Sequence, residues 1–282
     1  MYNINTICVC GAGTMGSGIA QVSALAGYRT IQFDVSGEML VKSRAAIEKN
    51  LQWLVDKEKI NSIQRDACLG NLVFTSNISD CIADLVIEAI IEKKEAKITL
   101  FNQLIALNPS ATILATNTSS IAVADIAAGV PVPDRIIGMH FFNPAPLMKL
   151  VEVVITPETD PDVISAVLLV SQKMGKTAVV CIDSPGFIVN RVARHYYLEA
   201  MKLVEQDFAS IETVDAVMES TGFKMGPFKL MDLIGMDINF GVSNIVWEAL
   251  GKPERLTPSP LQKQKVDAGE LGRKTGKGFY KY

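Results

Sequence analysis

Short apolar runs alternate with longer stretches of helical periodicity until about residue 184, and then the short runs stop. INTICVC, residues 4–10, is apolar and partly β-branched, which predicts a strand. A glycine-rich turn follows at 11–18, and helically spaced apolar positions run from 14 to 26, where Gly27 ends them. RTIQFD (29–34) predicts a second strand; a long helix over 37–59 and a shorter one to Gly70 come next. NLVFT (71–75) and DLVIEAI (84–90) read as strands, and a helix over 92–107 closes at Asn108-Pro109. ATILATN (111–117), a Ser-rich turn and a short helix lead to apolar runs at 135–139 and 149–155, a helix at 161–174 and a strand at 177–182. This alternation implies a mostly parallel sheet with helices on both faces. Beyond DSPGF (183–187) only helical periodicity remains, over about 188–205, 210–221, a glycine-interrupted stretch around 230–250, and 258–268. The shift predicts an α/β domain over 1–184 and an all-helical domain over 185–282.

A length of 282 residues, 49% of them hydrophobic, allows a large buried core in roughly two domains. The formal charge of −3 offers no basic field for nucleic acid, and no Lys/Arg cluster flanks an apolar stretch to favour a membrane surface. The longest apolar segments are interrupted well short of a spanning length. No export signal precedes the first strand, so the chain is read as cytoplasmic and as complete at both ends. Its five cysteines are odd in number and form no CxxC pair; Cys8 and Cys10 are expected to be small buried apolar residues. Only two histidines are present, not at ligand spacing, so no metal site is expected.

GAGTMG places Gly11, Gly13 and Gly16 in the G-x-G-x-x-G spacing, between an expected strand and an expected helix. In that context Gly11 permits the tight turn, Gly13 lets the backbone approach a pyrophosphate, and Gly16 lets helix and strand pack closely. The phosphates would lie at the helix N-terminus. Asp34 ends the second strand, where a carboxylate accepts from a ribose 2′-OH and repels a 2′-phosphate. The reading is a Rossmann-type domain that binds NAD in preference to NADP.

Ligands of such sheets sit beyond the carboxyl ends of the strands. Glu92, Asn117, Ser119, Ser120, His140 and Asn143 fall there. Each alone is an ordinary turn or cap residue; their gathering at successive strand ends is what marks a site. Glu152 lies inside an apolar strand, where a carboxylate needs a partner, and a histidine N–H is a natural one. His140 would then be a base and Glu152 the group that orients it. His195 is expected at a surface or interface, and Asn190 as a helix cap or a core hydrogen bonder.

These motifs, with DLVIEAIIE, NTSS, GMHFFNPAPLMKLVEVV, DSPGFIVNR, GPFKLMDLIGMD and LGRKTGKGFYKY, resemble the short-chain L-3-hydroxyacyl-CoA dehydrogenase family, on the side of the bacterial 3-hydroxybutyryl-CoA dehydrogenases. The likeness spans essentially the whole chain. It implies His140 as general base and acid, Glu152 as its orienting carboxylate, and Ser119 and Asn190 as hydrogen bonders to an acyl-CoA substrate. For the dinucleotide it implies the 11–16 loop with Thr14 and Met15, then Asp34, Glu92, Lys97, Asn117, Asn143 and Lys274. It also implies a homodimer paired through the C-terminal domain. In relatives, lysines on the helix after the second strand hold the coenzyme A phosphates; here Lys49, Lys57 and Lys59 are available, with Gln52 and Asp56 interrupting the basic face.

Other readings stay open at this stage. NRVARHYYLEA and PSPLQKQKVDAGELGRK resemble a branch that includes 3-hydroxyadipyl-CoA dehydrogenases, which admits a dicarboxylic substrate. L-gulonate 3-dehydrogenase is a relative acting on a free sugar acid, and related chains serve as non-catalytic lens crystallins. A piece of a larger multifunctional enzyme is the remaining alternative.

Overall fold

The computed structural model describes residues 2–282. The first unit ends at Asp183, and the second runs Ser184–Tyr282.

In the first unit the elements are β1 (Thr6–Cys10), α1 (Thr14–Leu25), β2 (Arg29–Phe33), α2 (Gly37–Asp56), α3 (Ser62–Gly70), β3 (Leu72–Thr75) and β4 (Leu85–Glu88). They continue with α4 (Lys94–Leu107), β5 (Ile113–Thr116), α5 (Val123–Ala127), β6 (Ile136–Phe141), β7 (Leu150–Ile155), α6 (Pro161–Lys173) and β8 (Thr177–Ile182). One eight-stranded sheet results, in the order β3-β2-β1-β4-β5-β6-β7-β8. All neighbours are parallel except β6 and β7. The chain winds outward from β1 in both directions, so a crevice opens beyond the carboxyl ends of β1 and β4.

Strand alternation sorts the side chains. Ile7, Val9, Leu85, Ile87, Ile113, Ala115, Ile137, Met139, Val151 and Val153 face one core, which α1, α2 and α6 cover with Ile19, Ile47, Leu51, Val163 and Val167. The alternate residues face the other way, and four of them are buried and polar: Glu88, Thr116, His140 and Glu152. The helices start on recognisable caps. Ser36 accepts from Met39 N–H, Asn61 and Gln64 form a capping box, and Asp160 precedes Pro161.

In the second unit, α7 (Val189–Glu205), α8 (Ile211–Ser220), α9 (Pro227–Ile234), α10 (Met236–Ala249) and α11 (Pro260–Asp267) enclose Tyr197, Met201, Phe228, Met231, Met236 and Val246. Two buried carboxylates hold the last residues. Asp232 accepts from the Phe279 and Tyr280 N–H groups, both at 2.9 Å, and Asp215 accepts from Tyr280 Oη at 2.8 Å.

The glycine-interrupted stretch expected over 230–250 is two helices that meet at Gly235, whose φ of 103° no helical residue adopts. Two expected boundaries move. α2 stops at Asp56 rather than 59, with Glu58 turned to φ 53°. The strand expected to end at 139 runs on to Phe141, because β7 supplies an antiparallel partner. His140 is therefore a strand residue and not a turn residue. All five cysteines are buried free thiols. Among the described residues no helix is long and apolar enough to cross a membrane.

Candidate active site

The glycine loop is built by contacts that a side chain would break. At Gly11, φ is 111°, and a Cβ would fall 2.4 Å from the Ala89 carbonyl oxygen. A Cβ on Gly16 would fall 2.0 Å from the Gly11 carbonyl oxygen, so α1 could not approach the turn. Gly13 differs: a Cβ there would meet nothing within 4 Å. Its missing side chain leaves open space in front of the first turn of α1. Asp34 stiffens the loop, accepting from Ala12 N–H at 2.7 Å and from Ser36 N–H at 2.9 Å. A largely apolar cavity of about 760 Å³ lies alongside, lined by Gly11, Gly13, Asp34, Val35, Ile91 and their neighbours. Thr14 is exposed, while Met15 packs against the core.

A second, smaller cavity of about 290 Å³ is lined by Gly13, Thr14, Lys42, Asn50, Asn143 and Pro146, among others. Lys49, Lys57 and Lys59 are exposed and do not line it; Lys42, Ser43 and Asn50 are the polar residues that α2 offers there.

Beyond β4 and β5, acids and hydroxyls interlock. Glu88 is fully buried; its Oε1 accepts from Lys97 Nζ and Ile90 N–H, both at 2.7 Å, and its Oε2 accepts from Thr116 Oγ1 at 2.7 Å. The Lys97 ammonium also reaches Glu92 Oε2 at 3.0 Å. Glu92 Oε1 then takes Thr118 Oγ1 at 2.5 Å, Ser120 Oγ at 2.9 Å and Ser119 N–H at 3.0 Å. Burial opposes the charge on Glu92, but the nearby Lys97 ammonium and these donors outweigh it and hold the carboxyl below its usual range. The resemblance set Lys97 against the dinucleotide. It is 1% exposed and closed between two acids, so it reaches the crevice only through Glu92. Asn117 is likewise engaged within the protein: its Oδ1 accepts from Phe141 N–H at 2.9 Å and ties β5 to the end of β6.

His140 stands directly opposite Glu152 across the antiparallel β6–β7 pair. Its Nδ1 lies 2.7 Å from Glu152 Oε2, with the two residues 6% and 1% exposed. A carboxylate only accepts, so Nδ1 carries the shared proton. The Phe142 ring packs 4.5 Å from the imidazole. The turn that follows carries Asn143, and from behind, Lys176 Nζ donates to the carbonyls of Ala145 and Met148.

In the second unit, Asn190 is half-buried near the start of α7, and the cap position of that helix is Ile188. Lys274 Nζ pairs with Asp237 at 2.5 and 2.7 Å. His195 is exposed; its neighbour Arg194 is buried.

Residues 6–184 match the NAD-binding domain of 3-hydroxyacyl-CoA dehydrogenase, and residues 186–282 match its C-terminal domain. The chain belongs to the 3-hydroxyacyl-CoA dehydrogenase family. It is an NAD-dependent oxidoreductase. Its Rossmann-type sheet followed by a helical domain is the fold expected from the sequence. A 3-hydroxyadipyl-CoA dehydrogenase of Escherichia coli is 43% identical over 99% of this chain, and the chain spans 59% of that relative's length. A probable 3-hydroxybutyryl-CoA dehydrogenase of Deinococcus radiodurans is 40% identical, covering 97% of this chain and 99% of the relative. The solved structure of (S)-3-hydroxybutyryl-CoA dehydrogenase from Ralstonia eutropha aligns with a TM-score of 0.95 at 35% identity, covering 99% of both chains.

For this dehydrogenase, sequence reasoning missed Glu88, Thr118 and Lys176. Glu88 carried the same signal as Glu152, an acid inside an apolar run. Thr118 and Lys176 carried none, because only the fold brings one to Glu92 and the other behind the Asn143 turn.

Proposed function

We propose that the enzyme interconverts (S)-3-hydroxyacyl-CoA and 3-ketoacyl-CoA thioesters of short acyl chain, the 3-hydroxybutyryl-CoA/acetoacetyl-CoA pair among them. The observation that carries this reading is the buried, hydrogen-bonded pair of His140 and Glu152 on facing strands. Bound NAD supplies the hydride acceptor for oxidation and, as NADH, the donor for reduction. The open space before Gly13, the apolar cavity and Asp34 fit such a dinucleotide, with Val35 and Ile91 as exposed apolar walls for its adenine end. Each Asp34 oxygen accepts one backbone N–H and retains capacity for a ribose hydroxyl.

In oxidation, Nε2 of His140 takes the proton of the substrate 3-hydroxyl; in reduction it returns that proton to the oxygen. Glu152 fixes the tautomer and steadies the imidazolium. Ser119 and Asn190 hold the substrate oxygens. Glu92, Asn143 and Lys274 face the dinucleotide, and Lys97 acts by holding Glu92. Coenzyme A phosphates fall to Lys49 and Lys57. The name of the E. coli relative extends the acyl range to dicarboxylic chains. The apolar side chains of Val192, Phe208, Val217 and Phe223, all half or more exposed on the helical unit, support a homodimer paired through it. A cytoplasmic location accompanies this reading.

The test is NADH oxidation with acetoacetyl-CoA, compared with a free 3-keto sugar acid and no substrate. Turnover of the thioester alone is expected. His140→Gln should abolish turnover with NADH binding retained; near-normal activity in that variant would remove the base assignment.

A further inference from the structure

Gln32 is an amide enclosed within β2, fully buried at a position where an aliphatic side chain would avoid the loss of hydration. Two partners hold its ends. Nε2 donates to the Gly11 carbonyl at 3.2 Å, and Oε1 accepts from Ser43 Oγ, on α2, at 2.7 Å. A carbonyl only accepts, so the amide nitrogen must face Gly11. The Ser43 hydroxyl, itself buried, takes the other end and fixes that orientation.

The next two residues of the strand grip the same loop. The Phe33 carbonyl accepts from Gly11 N–H at 2.7 Å, and Asp34 Oδ2 accepts from Ala12 N–H at 2.7 Å. The Gly11 carbonyl and the Ala12 N–H belong to one planar peptide unit, so Gln32 and Asp34 hold that unit from its two ends. Left alone it would turn readily, because Gly11 lacks the Cβ that restricts other residues and already sits at φ 111°. A half-turn would swing the carbonyl oxygen toward the Asp34 carboxylate and remove the donor that steadies it. It would also move the oxygen against which α1 packs, since a Cβ on Gly16 would lie 2.0 Å from it.

Asp34 and Gly11 both line the large cavity beside the loop; Gln32 lines neither that cavity nor the smaller one. Its amide works from behind. We propose that Gln32, oriented by Ser43, is a positioning residue for the dinucleotide: it locks the Gly11–Ala12 peptide, and with it Asp34 and the first turn of α1, before the cofactor arrives. Binding then need not drive that ordering, so the lock acts on cofactor affinity and leaves the His140 chemistry untouched. The inference concerns the NAD-binding unit alone and holds for any acyl substrate.

Gln32→Leu keeps the bulk and removes the donor. Its dissociation constant for NADH, from fluorescence titration with no acyl substrate present, should rise by about 10-fold. In the cofactor-free protein, amide hydrogen exchange over residues 10–16 should quicken by about 10-fold, while exchange in β6 and β7 stays at the wild-type rate. Ser43→Ala leaves the amide in place and releases its far end, so both readings should move the same way by about 3-fold. An unchanged dissociation constant in Gln32→Leu overturns the proposal. Faster exchange across the whole sheet overturns it too, because it assigns Gln32 to packing alone. If Gln32→Leu does not fold, Ser43→Ala decides: weaker NADH binding with faster exchange confined to the loop supports the lock, and wild-type values for either overturn it.

Discussion

His140 and Glu152 meet at 2.7 Å because β6 and β7 are the one antiparallel pair in the sheet and place the two residues directly opposite each other. The acid is 1% exposed, where a carboxylate is costly without a hydrogen-bonding partner such as His140. Glu152→Gln keeps the shape but lacks the charge that steadies an imidazolium. We expect kcat for acetoacetyl-CoA reduction to fall by roughly 10²-fold or more. The dissociation constant for NADH, followed by fluorescence, should stay within about twofold. Equal losses in both measurements would mean that the pair only holds the fold.

The glycine loop separates two kinds of requirement. Gly16→Ala drives a Cβ against the Gly11 carbonyl, so α1 must shift; loss of soluble protein or of about 2 kcal/mol or more in urea unfolding is expected. Gly13→Ala places its Cβ where no protein atom lies. Its unfolding free energy should change by about 0.5 kcal/mol or less, while NADH affinity falls sharply. A Gly13→Ala enzyme with unaltered KM for NADH would show that the pyrophosphate lies elsewhere.

Glu92 yields a pH signature. Its folded carboxyl is held below the ordinary range against burial, chiefly by Lys97. A depressed acid contributes stability above its unfolded pKa, about 4.3, and loses it as pH falls through the folded value. Glu92→Gln should therefore be less stable than the wild type at pH 7, and the two melting temperatures should converge below about pH 4. A constant gap across that range would remove the electrostatic explanation.

Much of this was legible before any coordinates. Strand and helix periods located the elements, and the spacing from Gly11 to Asp34 marked the dinucleotide end, because both signals are local in sequence. Tertiary pairing was not legible. Nothing in RIIGM announces that its strand continues through His140, since the antiparallel partner is supplied by a later segment. Lys97 resembled any lysine of an amphipathic helix, and only the approach of α4 to the end of β4 encloses it between Glu88 and Glu92. Arg194 sits in a polar tetrapeptide beside the exposed His195, and the helical period alone did not fix which of the two would turn inward.

Lys176 clamps the turn between β6 and β7 from behind while α1 meets it in front: a Cβ on Gly18 would come within 3.0 Å of Ala145 and Pro146. Burial, with help from Lys149, lowers its ammonium to about 8. The sign follows from proton counts. Below pH 8 both folded and unfolded chains hold the proton and the desolvation penalty stands in full; between about 8 and 10.4 the unfolded chain holds more protons, so the stability owed to this residue rises with pH. The melting temperature of the wild type relative to Lys176→Met should climb across that window. Function should move the other way, because a neutral amine donates more weakly to the Ala145 and Met148 carbonyls and slackens the turn that carries Asn143. Under the proposed contact of Asn143 with the dinucleotide, KM for NADH should rise above about pH 8 in the wild type, and Lys176→Met should start from a raised KM that lacks this step. A stability difference that is flat with pH would disprove the depressed ammonium. A KM step that persists in the variant would assign the titration to another group.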